Sequence, residues 1–263
     1  MAIPGGVPFD MAGWAVNNLG ANHYSTSHHF ILYAYVGTDL EAMKLAYGGK
    51  AIDDTACLNM APNPSDLRFL GGAQKPEQRQ AMPKGLALRV ESTGTIDGKK
   101  VIGFVLNSHW INGTDSMQHG RPTIKLIPAR TKKVKRFLKP IFEVVANGTL
   151  KVSPGTIGTT GYVWGPGLPD FGELLGGIGN PTGPACVTMV TGHMHGRGTR
   201  FEASYHGTTA VENPIVSFEE YNHPKDQERR FEKLPGGALL VQPGETIDYT
   251  CTQDNQTDPR MGC

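Results

Sequence analysis

Glycine or proline interrupts this chain so often that no long helix fits between the interruptions. Thirty-four glycines and nineteen prolines make up about a fifth of the 263 residues. Both weaken helix interiors and both serve the turns that join short strands. The segments between them read as strands. His29-Phe-Ile-Leu-Tyr-Ala-Tyr-Val36 is aromatic and β-branched and stops at Gly37. Leu86-Ala-Leu-Arg-Val-Glu-Ser92 alternates apolar and polar residues, as does Val101-Ile-Gly-Phe-Val-Leu-Asn-Ser-His109 after the turn Ile96-Asp-Gly-Lys99. Asp97-Gly98 tolerates the positive φ of a tight hairpin. Further strands are expected at Val187-Thr-Met-Val190 and before the turn Gln242-Pro-Gly-Glu245. One helix is expected from Asp39 to Tyr47, capped by Asp39 and ended by Gly48-Gly49. The fold class is all-β, with a boundary between two domains near residues 138 to 147.

Charge excludes several functions. Twenty-five basic and 24 acidic side chains give a net charge of +1, so there is no global pull toward nucleic acid or membrane. Six cations crowd residues 130 to 139 (Arg130, Lys132, Lys133, Lys135, Arg136, Lys139); a run this short reads as a solvated linker or a guarded strand edge. The glycine-rich stretch from Gly155 to Gly183 contains no Gly-x-Gly-x-x-Gly between a strand and a helix, which removes nucleotide binding. No apolar run is long enough to span a bilayer. The opening MAIPGGVPFDM lacks the basic and apolar regions of a signal peptide. Cys57, Cys186, Cys251 and Cys263 form no Cys-x-x-Cys pair, so a zinc ribbon is not expected, while their even number permits two disulfides. Asn112, Asn147 and Asn255 begin glycosylation triplets that arise readily by chance.

The histidines are the chemistry-bearing residues. His28 and His29 open a strand, His109 ends another, and His193 and His195 end a third. Imidazole is the usual ligand for copper, zinc and iron. Two residues apart on a strand, His193 and His195 would share one face and chelate one ion. His28 and His29 are adjacent, so they can share an ion only where the backbone is irregular, as at a bulge or strand end. His23, His119 and His206 read as solvent histidines and His223 as structural. Zinc hydrolysis would need a carboxylate beside the metal, and Glu202 is the candidate in sequence.

Taken together these stretches resemble the copper type II, ascorbate-dependent monooxygenases, the family of peptidylglycine α-hydroxylating monooxygenase and dopamine β-monooxygenase. The resemblance runs in order through His28-His29-Phe-Ile-Leu-Tyr, Phe104-Val-Leu-Asn-Ser-His-Trp110 and Thr191-Gly-His-Met-His-Gly-Arg-Gly-Thr199, the last being most similar to bacterial members. It closes with Pro243-Gly-Glu-Thr-Ile-Asp-Tyr-Thr-Cys251 followed by Asp254-Asn255. It implies two jelly-roll β-sandwich domains in tandem, here over residues 1–140 and 147–263. The first would hold copper through His28, His29 and His109. The second would hold copper through His193, His195 and a methionine, and would be the catalytic one. The implied reaction inserts one oxygen atom from O2 into a C–H bond of a small-molecule substrate, with ascorbate or a similar reductant resetting both ions. It also implies an extracellular or periplasmic location. A non-catalytic copper-binding or structural β-sandwich related to the family is the alternative.

Two departures bear on that reading. In the family the methionine ligand directly precedes a cysteine, whereas here the sequence ends Arg260-Met261-Gly262-Cys263, twelve residues after Cys251. Either Met261 is the ligand, with a Cys251–Cys263 disulfide, or Met261 matches the loop before the motif and the methionine lies beyond residue 263. Met189 and Met194 are poorer candidates, because Met194 would face away from His193 on a strand. The second departure is Thr191, which stands where peptide-amidating members carry an arginine, so peptide amidation is not expected.

Overall fold

The computed structural model describes residues 2–4, 8–18, 27–47, 66–73, 75–91, 94–110, 115–117, 120, 122–141, 152–168, 181–194, 197–219 and 228–256. For 2–4, 27–29, 46, 47, 109 and 131 it describes the backbone only. The all-β expectation holds: the described residues form strands throughout and a single α-helix. Backbone contacts divide the chain into two compact units, one principally Met1–Phe142 and the other drawn from Glu143–Phe171 and Gly179–Cys263.

The first unit contains β1 (Ala2–Pro4), β2 (Phe9–Asn17), β3 (Ser27–Tyr35), α1 (Leu40–Tyr47), β4 (Leu67–Ala73), β5 (Glu77–Ala81), β6 (Leu86–Val90), β7 (Gly94–Ile96), β8 (Lys99–Trp110), β9 (Thr123–Pro128) and β10 (Arg136–Leu138). One five-stranded sheet runs β1-β8-β3-β4 with β7 also on β8; the other runs β10-β6-β2-β5 with β9 also on β2. Met11, Trp14, Val16 and Leu88 from the second sheet pack against Phe30, Leu32, Leu70, Ile102 and Phe104 from the first. This interdigitation is a β-sandwich core.

Period-two alternation explains why β3 reads as an unbroken apolar run. Phe30, Leu32 and Ala34 enter the sandwich core. Ile31, Tyr33 and Tyr35 enter a second cluster with Leu40, Leu67 and Val101, so the opposite face is covered as well. A strand buried on both faces needs no polar alternation. Each large side chain so buried contributes about 1.5–3 kcal/mol. The cover is α1, whose start is fixed as expected: the Ala42 amide donates to Asp39 Oδ1 at 2.8 Å. The β7–β8 turn has φ of 51° at Asp97 and 72° at Gly98, the geometry of a type I′ hairpin.

The basic run forms a 3-10 turn (Thr131–Lys133) and β10, which pairs in parallel with β6 at the edge of its sheet. Lys132, Lys133, Lys135, Arg136 and Lys139 are exposed there. Charge along an edge discourages pairing with another chain. The Arg89 guanidinium lies 3.9 Å from the centre of the Phe137 ring and bonds both oxygens of Asp10, at 2.8 and 3.0 Å.

The second unit contains β11 (Ile157–Trp164), β12 (Ala185–Val187), β13 (Met189–Thr191), β14 (Gly198–His206), β15 (Val216–Glu219), β16 (Glu228–Arg230), β17 (Leu239–Val241) and β18 (Thr246–Asp254). A four-stranded antiparallel sheet runs β11-β18-β14-β15, and β12-β17 and β13-β16 form two short pairs. Trp164, Phe201, Tyr205, Phe218 and Ile247 of the sheet pack with Phe231, Leu239 and Val241. The single strand expected at residues 187–190 is instead two. The Thr188 carbonyl accepts from the Phe231 amide at 3.1 Å, and the chain changes partner there, from β17 to β16. No helix among the described residues is long and apolar enough to cross a membrane.

Candidate metal centre

Three of the candidate ligands meet in the β3–β8 ladder. Phe30 is opposite Ser108 and His29 is opposite His109, but the next pair is Ser27 with Trp110. The chain therefore advances two residues on β3 for one on β8, and His28 is the extra residue of a β-bulge. His28 and His29 together oppose His109. In a regular strand adjacent residues point to opposite faces, and a bulge is the device that relaxes this by bending the strand and leaving one residue out of the pairing. The irregularity that sharing one ion demands is thus at the histidine pair itself.

The strand beside the bulge is pinned from the other sheet. Asn18 follows the last residue of β2 and is fully buried, at 0% exposure. Its Oδ1 accepts from Ser108 Oγ at 2.9 Å, and its amide donates to the Pro76 carbonyl at 2.7 Å. Sequence reasoning missed Asn18. Its only signal is a polar residue ending the alternating segment of β2, and many strand ends share that.

The second histidine pair differs from expectation. β13 ends at Thr191, so His193 and Met194 lie in irregular backbone past the strand, and strand spacing does not govern the pair. His193 is exposed, while Met194 is 1% exposed within the core of its unit. Gly192 lies flat on Phe201; a Cβ there would stand 2.5 Å from the ring. Buried Met194 and close-packed Gly192 anchor the segment that presents His193. His195, Met261, Cys263, His223, His23, His119 and Cys57 lie outside the described residues.

The chain just after His195 is tied to the end of β18. The Asp254 amide donates to the Arg197 carbonyl at 2.9 Å. The Arg197 guanidinium donates to Asn255 Oδ1, and Asn255 Nδ2 donates to the Val152 carbonyl at 2.8 Å. Asn255, which begins a glycosylation triplet in the sequence, spends its amide on this internal clamp. The clamp therefore starts the C-terminal segment beside the chain that carries the histidine pair.

Other candidate residues are occupied elsewhere. Arg200 bonds Glu202 at 3.1 and 2.7 Å, which engages the one carboxylate considered for zinc hydrolysis. His206 is exposed on β14, 3.2 Å from Asp248. Cys186 is an exposed thiol and Cys251 a buried one, raised in pKa by its burial and partly offset by a hydrogen bond with Gln253. Among the described residues no three His, Cys, Asp or Glu side chains are grouped to hold a metal ion. The side chains of His28, His29, His109 and His195 are outside that set.

No family model and no curated protein matches this sequence.

The turn before β18 carries a strongly perturbed carboxylate. Glu245 accepts from the Gln242 amide (2.9 Å), from Tyr205 Oη (2.7 Å), and from the Thr208 amide and hydroxyl (both 2.8 Å). These donors favour the charged form and hold its pKa down to about 2. The unfolded chain titrates near about 4.3, so it binds the proton first. The contribution of Glu245 to stability is therefore complete above about pH 4.5 and fades as pH falls toward 2. The stability difference between the protein and Glu245→Gln should shrink across that window. A carboxyl titration by NMR with a midpoint at 4 or above would contradict this.

Proposed function

We propose that this protein binds copper at two separate histidine sites and acts as a copper-dependent monooxygenase on a small-molecule substrate, with O2 and a reductant such as ascorbate. The observation that carries the reading is the bulge that sets His28 and His29 opposite His109. Three histidines brought by the backbone to one ladder position suit copper, for which imidazole is a usual ligand. Neutral imidazole is the ligand form, so uptake should weaken as pH falls below about 6.5.

The residue roles follow from chemistry and position. His28, His29 and His109 would hold one ion, and three imidazoles suit an ion that changes oxidation state. His193 and His195 would hold the other. Met194 is buried in the core of its unit, so the soft thioether is assigned to Met261. Copper, when bound, supplies the activation of O2 and the one-electron steps. The protein's own contribution is to fix the ligands and to keep the two sites on separate compact units. Thr191, two residues before His193, offers no cation for a peptide carboxylate. The substrate is accordingly not a peptide C-terminus, and the location is extracellular or periplasmic.

Metal analysis of the purified protein together with ascorbate-dependent O2 uptake tests this. Two copper ions per chain with uptake support the enzyme. Copper without uptake would leave a copper-binding β-sandwich, and a copper content near zero after reconstitution would remove both readings.

A further inference from the structure

We infer that Asn18 and Ser108 form a positioning pair for the first copper site, holding the bulge in the register that brings His28 and His29 against His109. The inference rests on the copper reading above and extends it to residues that touch no ligand.

A bulge interrupts its own ladder, because the extra residue is left unpaired and the hydrogen bonds around it are disrupted. The regular ladder resumes one step away, at Phe30 and Ser108, and a contact that fixes this first pair helps fix where the bulge falls, since slipping by one residue exchanges the two faces of a strand. On β8 the residue one step from His109 is Ser108, opposite Phe30. The alternation of β8 sends Ile102 and Phe104 into the sandwich core, with Leu106 packed against it, and Ser108 is next in that series. An apolar residue would continue the core there. The hydroxyl instead donates to Asn18 at 2.9 Å, and Asn18 directly follows β2 of the facing sheet.

Asn18 is itself held. It is fully buried, its amide is bonded to Pro76 before β5, and the preceding Asn17 donates from Nδ2 to Glu77 Oε1 at 2.7 Å. Thr123 of β9 donates its hydroxyl to the Asn17 carbonyl at 3.5 Å on the other side. The end of β2 is thus clasped by both neighbours before it reaches across to Ser108. A part-buried polar pair that joins two sheets through the buried Asn18 costs more to place than an apolar contact, and it specifies one alignment where apolar packing tolerates several. That alignment is set one residue from the bulge.

The test uses the full chain and Cu(II) as probe. Ser108→Ala removes the donor with little change in volume, and Asn18→Ala removes the acceptor. Either should weaken copper at the first site by about 10-fold or more, the usual effect of losing a group that orients a metal ligand. Either should also alter the Cu(II) paramagnetic resonance spectrum of that site while leaving the second site's spectrum unchanged. In the metal-free protein both should speed amide hydrogen exchange at residues 27–29 and 108–110. Ser108→Thr, which keeps the hydroxyl, should restore affinity and spectrum. If Asn18→Ala does not fold, Ser108→Ala decides alone. Wild-type affinity, spectrum and exchange in Ser108→Ala would overturn the positioning role and leave the copper reading intact. Failure of the unsubstituted protein to bind copper would overturn both, which separates the two failures.

Discussion

Alanine at position 109 should release one copper ion, leave the other bound, and bring ascorbate-dependent O2 uptake to background. The expectation comes from the ladder: His109 is the single residue that both His28 and His29 oppose, so no neighbour on β8 can replace it. Trp110 and Ser108 flank it, and neither offers an imidazole. His193→Ala should produce the reciprocal pattern, with the second site emptied and the first retained, because the residues belong to separate compact units. His206→Ala is the control. His206 is exposed and faces Asp248, so its loss should change neither the copper content nor the uptake. Copper counted by atomic absorption on all three variants decides the matter. Two ions retained in His109→Ala would dismiss the first site, and both ions lost together would dismiss their independence.

Met194→Ala should destabilise the second unit by about 2–5 kcal/mol, the range for removing a fully buried long side chain and leaving its volume unfilled. Met194 is 1% exposed among Phe201, Leu239, Val241 and their neighbours. Met194→Leu should cost less than about 1.5 kcal/mol, since it conserves volume and apolar character. The pair of variants also separates packing from ligation. A core anchor accepts leucine and keeps copper; a thioether ligand accepts neither substitution. Urea unfolding gives the stabilities, and copper content of Met194→Leu gives the ligation. Loss of one ion in Met194→Leu would return Met194 to the ligand set and release Met261 from it.

The legibility of the fold varied with how local its causes are. The apolar content of β3, the Asp39 cap, the Asp97-Gly98 hairpin and the charged edge at residues 130 to 139 were all readable from neighbouring residues. Each depends on a short-range property: side-chain period, a cap within one turn, a φ that glycine or aspartate tolerates, or charge on an unpaired edge. The break at Thr188 was not readable, because Val187-Thr-Met-Val190 has strand character throughout. Its division comes from two partners, β17 and β16, that arrive from some fifty and some forty residues later in the chain. Asn255 shows the same limit from the other side. Its triplet has a local meaning, and its clamp on Arg197 and Val152 has only a spatial one.

The histidines show the division most plainly. The amino-acid order alone was enough to read the chain as all-β, to single out its histidines as candidate metal ligands, and to require an irregular backbone if His28 and His29 are to act together. It was enough because residue type and two-residue alternation are written along the chain. Only the tertiary structure decided that the irregularity falls at His28, that His109 stands opposite it, and that Met194 turns into the core. The first two depend on register between strands some eighty residues apart in sequence, and the third on the core of the second unit. Register is fixed where two sheets close over one core and a buried Asn18 meets Ser108, and no single strand contains that information.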